Sequence, residues 1–167
     1  VYAGYAESSG APKNTIWPHA AWAGQTTAAK EREYNGVKVD AYACTSELAG
    51  VEGTDLYGIG AICHEFSHTL GLPDWYDTKG YGGFGMNKWS VMDQGCHNAG
   101  GRIPCGYNAY EREFCGWMNI TELTEATSVT MENVATSATA YKVVANNNTD
   151  RYFTFETRVQ EGWDTYL

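Results

Sequence analysis

The chain has 167 residues, about one domain, with 43% hydrophobic, 14% aromatic and only 19% charged residues, a globular composition well away from the disordered class. Its formal net charge of −9 argues against nucleic acid or an anionic membrane surface as the main partner. No apolar run nears the ~20 residues that span a bilayer.

Val1 opens directly on "VYAGYA", with neither an initiator Met nor a signal-like segment, so the chain is expected to be a piece of a longer precursor. Val1 to Ala6 reads as a short strand, followed by the turn-rich "ESSGAPKN" and the aromatic "TIWPHAAW". Residues 23 to 36 are small and polar and end at Asn35-Gly36, a strong turn signal. "VKVDAYA", residues 37 to 43, alternates Val37, Val39, Ala41 and Ala43 against Lys38, Asp40 and Tyr42, the pattern of one half-buried strand.

From Gly53 the pattern turns helical. Thr54 or Asp55 is the expected N-cap, and Leu56, Ile59, Ile62, Phe66 and Leu70 fall near helical spacing as an apolar stripe. Gly71 is a natural stop, and Pro73 cannot continue the helix. Residues 75 to 105 are dense in glycine. Tyr107 to Trp117 reads as a second helix, and "SVTMENV", "AYKVV" and "RYFTFETRV" as three strands, with Asn146 to Asp150 a turn.

Within the first helix stands "HEFSHTLGLPD", residues 64 to 74. Residues i and i+4 share a helix face, so His64 and His68 present their rings together. Catalytic zinc takes three protein ligands and a water. Glu65, about 100° around the helix from its neighbour, can face that water without ligating, which is the chemistry of H-E-x-x-H. Asp74 follows the Gly71 stop and is the favoured third ligand, with Asp77, His97, Glu111 and Glu113 as competitors. Met92 in "WSVMDQG" is placed to form a methionine turn beneath the metal.

Together "HEFSHTLGLPDWYDT", "WSVMDQG" and "YNAYEREFCGWM" resemble the immune inhibitor A-like metallopeptidases, secreted bacterial enzymes. "VYAGYAESSG…NTIWPH" and "YFTFETRVQEGWD" carry the likeness over nearly the whole chain. The resemblance implies zinc ligation by His64, His68 and Asp74, Glu65 as catalytic base and Met92 in the methionine turn. It also implies further chain before Val1 and after Leu167, making this an internal fragment.

Other residues have plainer expectations. His19 reads as structural, His97 as solvated near the substrate, and Tyr76 and Tyr107 as packing residues with oxyanion binding as the alternative. Asp77, Asp40 and Asp93 are the candidates for a calcium site. Asn119-Ile120-Thr121 and Asn147-Asn148-Thr149 match the glycosylation pattern. The five cysteines include no C-x-x-C; Cys96–Cys105 and Cys44–Cys63 are the candidate pairs, and unpaired core thiols the alternative.

The expected architecture is α+β, a zincin of metzincin type: residues 1–119 form the catalytic domain and 120–167 begin a β-rich segment packed on or following it. The expected activity is zinc-dependent endopeptidase hydrolysis of protein or peptide substrates. The other class is a non-catalytic secreted binding module on a truncated or degenerate protease scaffold. A purely structural zinc site would add a fourth protein ligand, such as His97 or a cysteine.

Overall fold

A computed structural model of the chain describes residues 1–25, 32–145 and 148–167. Among these residues the fold is mixed α and β: three small sheets and two helices, joined by long loops with short 3-10 turns.

Val1 to Ala6 forms no strand; only Tyr2 makes a bridge, to Ser46, before a 3-10 turn at Glu7–Ser9. β1 (His19–Trp22) pairs antiparallel with β4 (Ala41–Cys44), and β2 (Arg32–Tyr34) with β3 (Val37–Val39). Asn35 and Gly36 have φ of 52° and 78°, the left-handed pair that a two-residue hairpin turn requires. The alternation over 37–43 does not make one strand. Asp40 breaks it, because its carbonyl accepts from the Ala23 amide (2.8 Å) and its Oδ1 from the Gly24 amide (2.9 Å). The chain thereby changes partner from β2 to β1, and Val37 and Val39 are left exposed.

Helix α1 (Gly60–Thr69) starts later than Thr54 or Asp55 because residues 47–57 are already engaged. The Ala49 amide donates to Asp55 and the Tyr57 amide to Glu47, around a Leu48–Leu56 bridge. Gly60 then crosses the backbone at Cys96 so closely that an added Cβ would lie 1.7 Å from the Cys96 carbonyl oxygen. The expected apolar stripe is not the buried face. Gly60, Ala61 and Ser67 are buried, while Leu56, Ile59, Phe66 and Leu70 are exposed; small side chains let α1 approach its neighbours closely, and the large ones point away. At its end the Gly71 amide donates to His68 and the Leu72 amide to Ser67, with Gly71 at φ 97°. That is a Schellman stop, and it turns the chain sharply back.

Helix α2 (Ala109–Phe114) is shorter than the expected 107–117 and is opened by a capping box between Asn108 and Glu111. The C-terminal sheet has the order β5 (Thr121–Glu122), β6 (Tyr141–Ala145), β7 (Asn148–Phe155), parallel then antiparallel. "SVTMENV" supplies no strand: Asn133 makes one bridge to Thr157, and Val134 is fully buried. Asn148 to Asp150 belong to β7 rather than to a turn, while Asn146 and Asn147 lie outside the described residues.

The core beneath α1 gathers Leu72, Val91, Met92, Cys96, Cys105 and Leu167. A second cluster joins Ala109, Met118, Ile120, Val134 and Ala140. Arg158 bolts the C-terminal segment to the loop ahead of Met92. It donates to both Asp164 carboxylate oxygens (2.9 and 2.6 Å), to the Trp89 carbonyl (2.7 Å) and to the Gly106 carbonyl (2.6 Å). The Arg158 and Asp164 side chains are 4% and 1% exposed, so the pair persists in the interior because its donors and acceptors are matched.

Candidate metal centre

His64 and His68 project from one face of α1, with ring centroids 4.8 Å apart and planes at 85°. The Gly71 turn brings Asp74 beneath them: its Oδ1 lies 3.2 Å from His64 Nε2 and 3.4 Å from His68 Nε2. Glu65 faces the same space, its carboxylate within 4.8 Å of the ligand atoms of both histidines.

Each ring is oriented from behind. His64 Nδ1 donates to the Val91 carbonyl (2.9 Å) and His68 Nδ1 to the Leu72 carbonyl (2.8 Å). A carbonyl can only accept, so each Nδ1 carries a proton, and in the neutral ring the Nε2 lone pair turns inward. Asp74 Oδ1 is buried and has no hydrogen-bond partner. These short contacts are ion pairs only if both rings gain a second proton. With neutral rings, three lone-pair atoms face one another without a donor. A divalent cation resolves that arrangement, and the 3.2 and 3.4 Å separations match the ~3.3 Å edge of a tetrahedron with bonds of about 2.0–2.1 Å. The donor set therefore fits zinc.

One turn, Trp89 to Asp93, supports this arrangement. Besides the Val91 carbonyl on His64, the Met92 carbonyl accepts from the amide of Trp75, next to Asp74 (3.0 Å). Met92 itself is fully buried in the cluster that includes Leu72.

The other candidates sit elsewhere. Asp77 accepts from the Lys79 and Gly83 amides (3.0 Å each), which close its own loop and hold its carboxyl below the usual range. Glu113 accepts from the Ile120 amide and faces Lys142. Glu111 is fully buried among Ser90 and Asn108. Asp77, Asp40 and Asp93 are not gathered into one cluster among the described residues; each carboxylate accepts from separate backbone amides, Asp93 from Met86, Asn87 and Gln94. His64, Glu65 and His68 are the group of three or more such side chains found together among the described residues.

A cleft of about 330 Å³ opens beside His64 and Glu65, walled by Trp17, Pro18, Tyr57 and Tyr76, with Gln94 and His97 at its rim. Tyr76 stacks against His64 at 6.5 Å, and burial together with the Asp74 carboxylate pushes its phenol up. Burial and then His64 pull the His97 imidazole down. Tyr107 is turned away, its hydroxyl 2.5 Å from Ser67 Oγ. His19 is structural, held between the Trp17 carbonyl and the Tyr42 hydroxyl. All five cysteines are free thiols. Sequence reasoning missed Trp17 and Tyr57 in the cleft and the Val91 and Leu72 carbonyls behind the rings. Carbonyls occur at every residue and leave no mark in a sequence.

A histidine pair on a helix, an aspartate returned by a glycine turn and an adjacent glutamate are the parts of a metallopeptidase site. The family description "Immune inhibitor A peptidase M6, catalytic domain" matches residues 1–120, and the chain belongs to that family. It is 32% identical over 141 residues to immune inhibitor A of Bacillus thuringiensis subsp. alesti, across 74% of this chain and 20% of that protein. It is 39% identical over 59 residues to the pre-pro-metalloprotease PrtV of Vibrio cholerae, across 33% of this chain and 6% of that protein. The chain thus spans about a fifth or less of the curated relatives it matches. No solved structure matches it. No helix among the described residues is long and apolar enough to cross a membrane.

Proposed function

We propose that the chain carries the catalytic centre of a secreted bacterial zinc endopeptidase, a zincin of metzincin type, acting on protein or peptide substrates. The observation that supports this most directly is the buried, unpartnered Asp74 Oδ1 facing two inward Nε2 lone pairs, with Glu65 alongside. His64, His68 and Asp74 would hold the zinc. Residues 1–119 form the catalytic unit on this reading, and 120–167 begin the β-rich segment.

Zinc, when bound, supplies Lewis acidity toward the scissile carbonyl and the attacking water. Glu65 takes the water's proton on its carboxylate and passes it to the leaving amine. The Val91 and Leu72 carbonyls keep both imidazoles in the ligating tautomer. Met92 gives the ligands an apolar floor, as a methionine turn does. Trp17, Tyr57 and Tyr76 give the peptide being cut an aromatic surface to lie against.

Two relatives whose names are those of a bacterial immune inhibitor and of a pre-pro-metalloprotease support the secreted, proteolytic reading. The test is Glu65→Gln, which should abolish casein hydrolysis while zinc stays bound. Full activity in that variant sinks the mechanism. A chain that binds zinc yet cleaves nothing, alone or within any longer chain that contains it, identifies instead a binding module on a protease scaffold.

A further inference from the structure

We propose that Glu111 is a positioning residue for the metal centre, acting through the Ser90 hydroxyl on the turn that carries the Val91 carbonyl to His64. The inference rests on the metal reading above and deepens it.

Glu111 lies on α2, fully buried and outside the proposed chemistry. Its Oε1 accepts from Ser90 Oγ (2.5 Å) and its Oε2 from the Asn108 amide (2.8 Å). Ser90 Oγ in turn accepts from the Met92 amide (3.0 Å), which closes the turn around Val91. From that turn the Val91 carbonyl holds His64 Nδ1 and the Met92 carbonyl holds the Trp75 amide beside Asp74. One buried carboxylate thus sits at the base of the contacts that aim one candidate ligand and anchor the neighbour of another.

Capping α2 does not explain the burial. A capping box needs only that the glutamate reach back to the N-cap amide, which an exposed side chain does equally well. Burial pushes the Glu111 carboxyl up, a cost of desolvation that a surface cap avoids. The second oxygen, committed to Ser90, is the part that capping leaves unaccounted for. Outer-shell partners of this kind set ligand orientation, and losing one typically weakens metal binding 10–100-fold.

Three variants of the full 167-residue chain separate the two roles. Zinc dissociation constants are measured by competition with a chromophoric chelator, ligand geometry by the visible bands of the cobalt-loaded chain, and stability by the metal-free Tm. Ser90→Ala, which cuts the link to the turn, should weaken zinc by roughly 10–100-fold and alter the cobalt bands. Asn108→Ala breaks the capping box but leaves the Ser90–Glu111 contact. It should lower Tm while the loss of zinc affinity stays well inside the roughly 10–100-fold of an outer-shell loss, because the Asn108 backbone amide still donates to Glu111 Oε2 and Ser90 still donates to Oε1. Glu111→Gln offers one acceptor oxygen to two donors and repeats the first measurement should Ser90→Ala fail to fold. Unchanged zinc binding and cobalt bands in a folded Ser90→Ala or Glu111→Gln overturn the proposal. So does Asn108→Ala weakening zinc as much as Ser90→Ala. An unaltered chain that binds no zinc removes the metal reading itself; zinc binding that ignores Ser90 removes only the role of Glu111.

Discussion

Asp74 Oδ1 stands 3.2 Å from His64 Nε2 with no donor of its own, so the same atom that would complete the proposed metal site is a burden in the metal's absence. Asp74→Asn should therefore act in opposite directions. An amide N–H aimed at the bare Nε2 atoms satisfies them and stabilises the metal-free chain by about 1 kcal/mol. The lost charged ligand weakens zinc by more than the roughly 10–100-fold of an outer-shell loss. Metal-free urea melts and chelator competition read the two effects separately; a metal-free protein made less stable would contradict the bare-lone-pair arrangement.

Gly71 connects the helix stop to the site. At φ 97° an L-residue pays about 1–2 kcal/mol for the left-handed conformation, and an added Cβ would lie 3.2 Å from the Phe114 ring. Gly71→Ala should lose about that much stability by denaturant unfolding. It should also weaken zinc, because the turn sets where Asp74 falls. Unaltered stability and zinc affinity would show that the Schellman geometry is not required.

The Arg158–Asp164 pair is expected to behave as a buried, fully matched ion pair. Arg158→Met leaves Asp164 buried and unpaired, at a cost of about 3–5 kcal/mol. The double variant Arg158→Met with Asp164→Leu should recover part of it, because Asp164 no longer stands charged and alone, while Glu156, 3.7 Å from the guanidinium, still loses its partner. Thermal melts of the single and double variants check this, and equal losses in both would place the stabilisation in packing instead.

Cys96 and Cys105 are both buried, and burial pushes each thiol up to about 12. At pH 8 both are protonated and poor nucleophiles, since the thiolate is the reactive form. Ellman's reagent should modify at most three of the five free cysteines in the native chain and all five in denaturant. Rapid modification of Cys96 or Cys105 before unfolding would rule out their place in this core.

Much of the site is legible along the chain because its spacing is local. His64 and His68 need only the helical repeat to share a face, with Glu65 a step of about 100° round the helix beside them, and Gly71 marks the stop, as the structure shows. The Asn35-Gly36 turn is local in the same sense: both residues tolerate positive φ. Asp74 was the favoured partner of the two histidines among five, and sequence spacing alone left the choice open.

Tertiary structure decided what periodicity cannot express. The apolar repeat from Leu56 to Leu70 suggested a buried stripe, yet α1 buries Gly60, Ala61 and Ser67, because close backbone crossing at Cys96 selects for small residues. Asp40 ended a strand that alternation would have continued, by giving its acceptors to Ala23 and Gly24. Glu111 was a competitor for the metal until folding placed it behind Ser90. Local spacing is written in side-chain order, so the sequence by itself determined the histidine face with its adjacent glutamate and the glycine stop. The carbonyls of Val91 and Leu72 that aim the rings belong to backbone groups identical at every position, and only the three-dimensional approach of distant segments selects them.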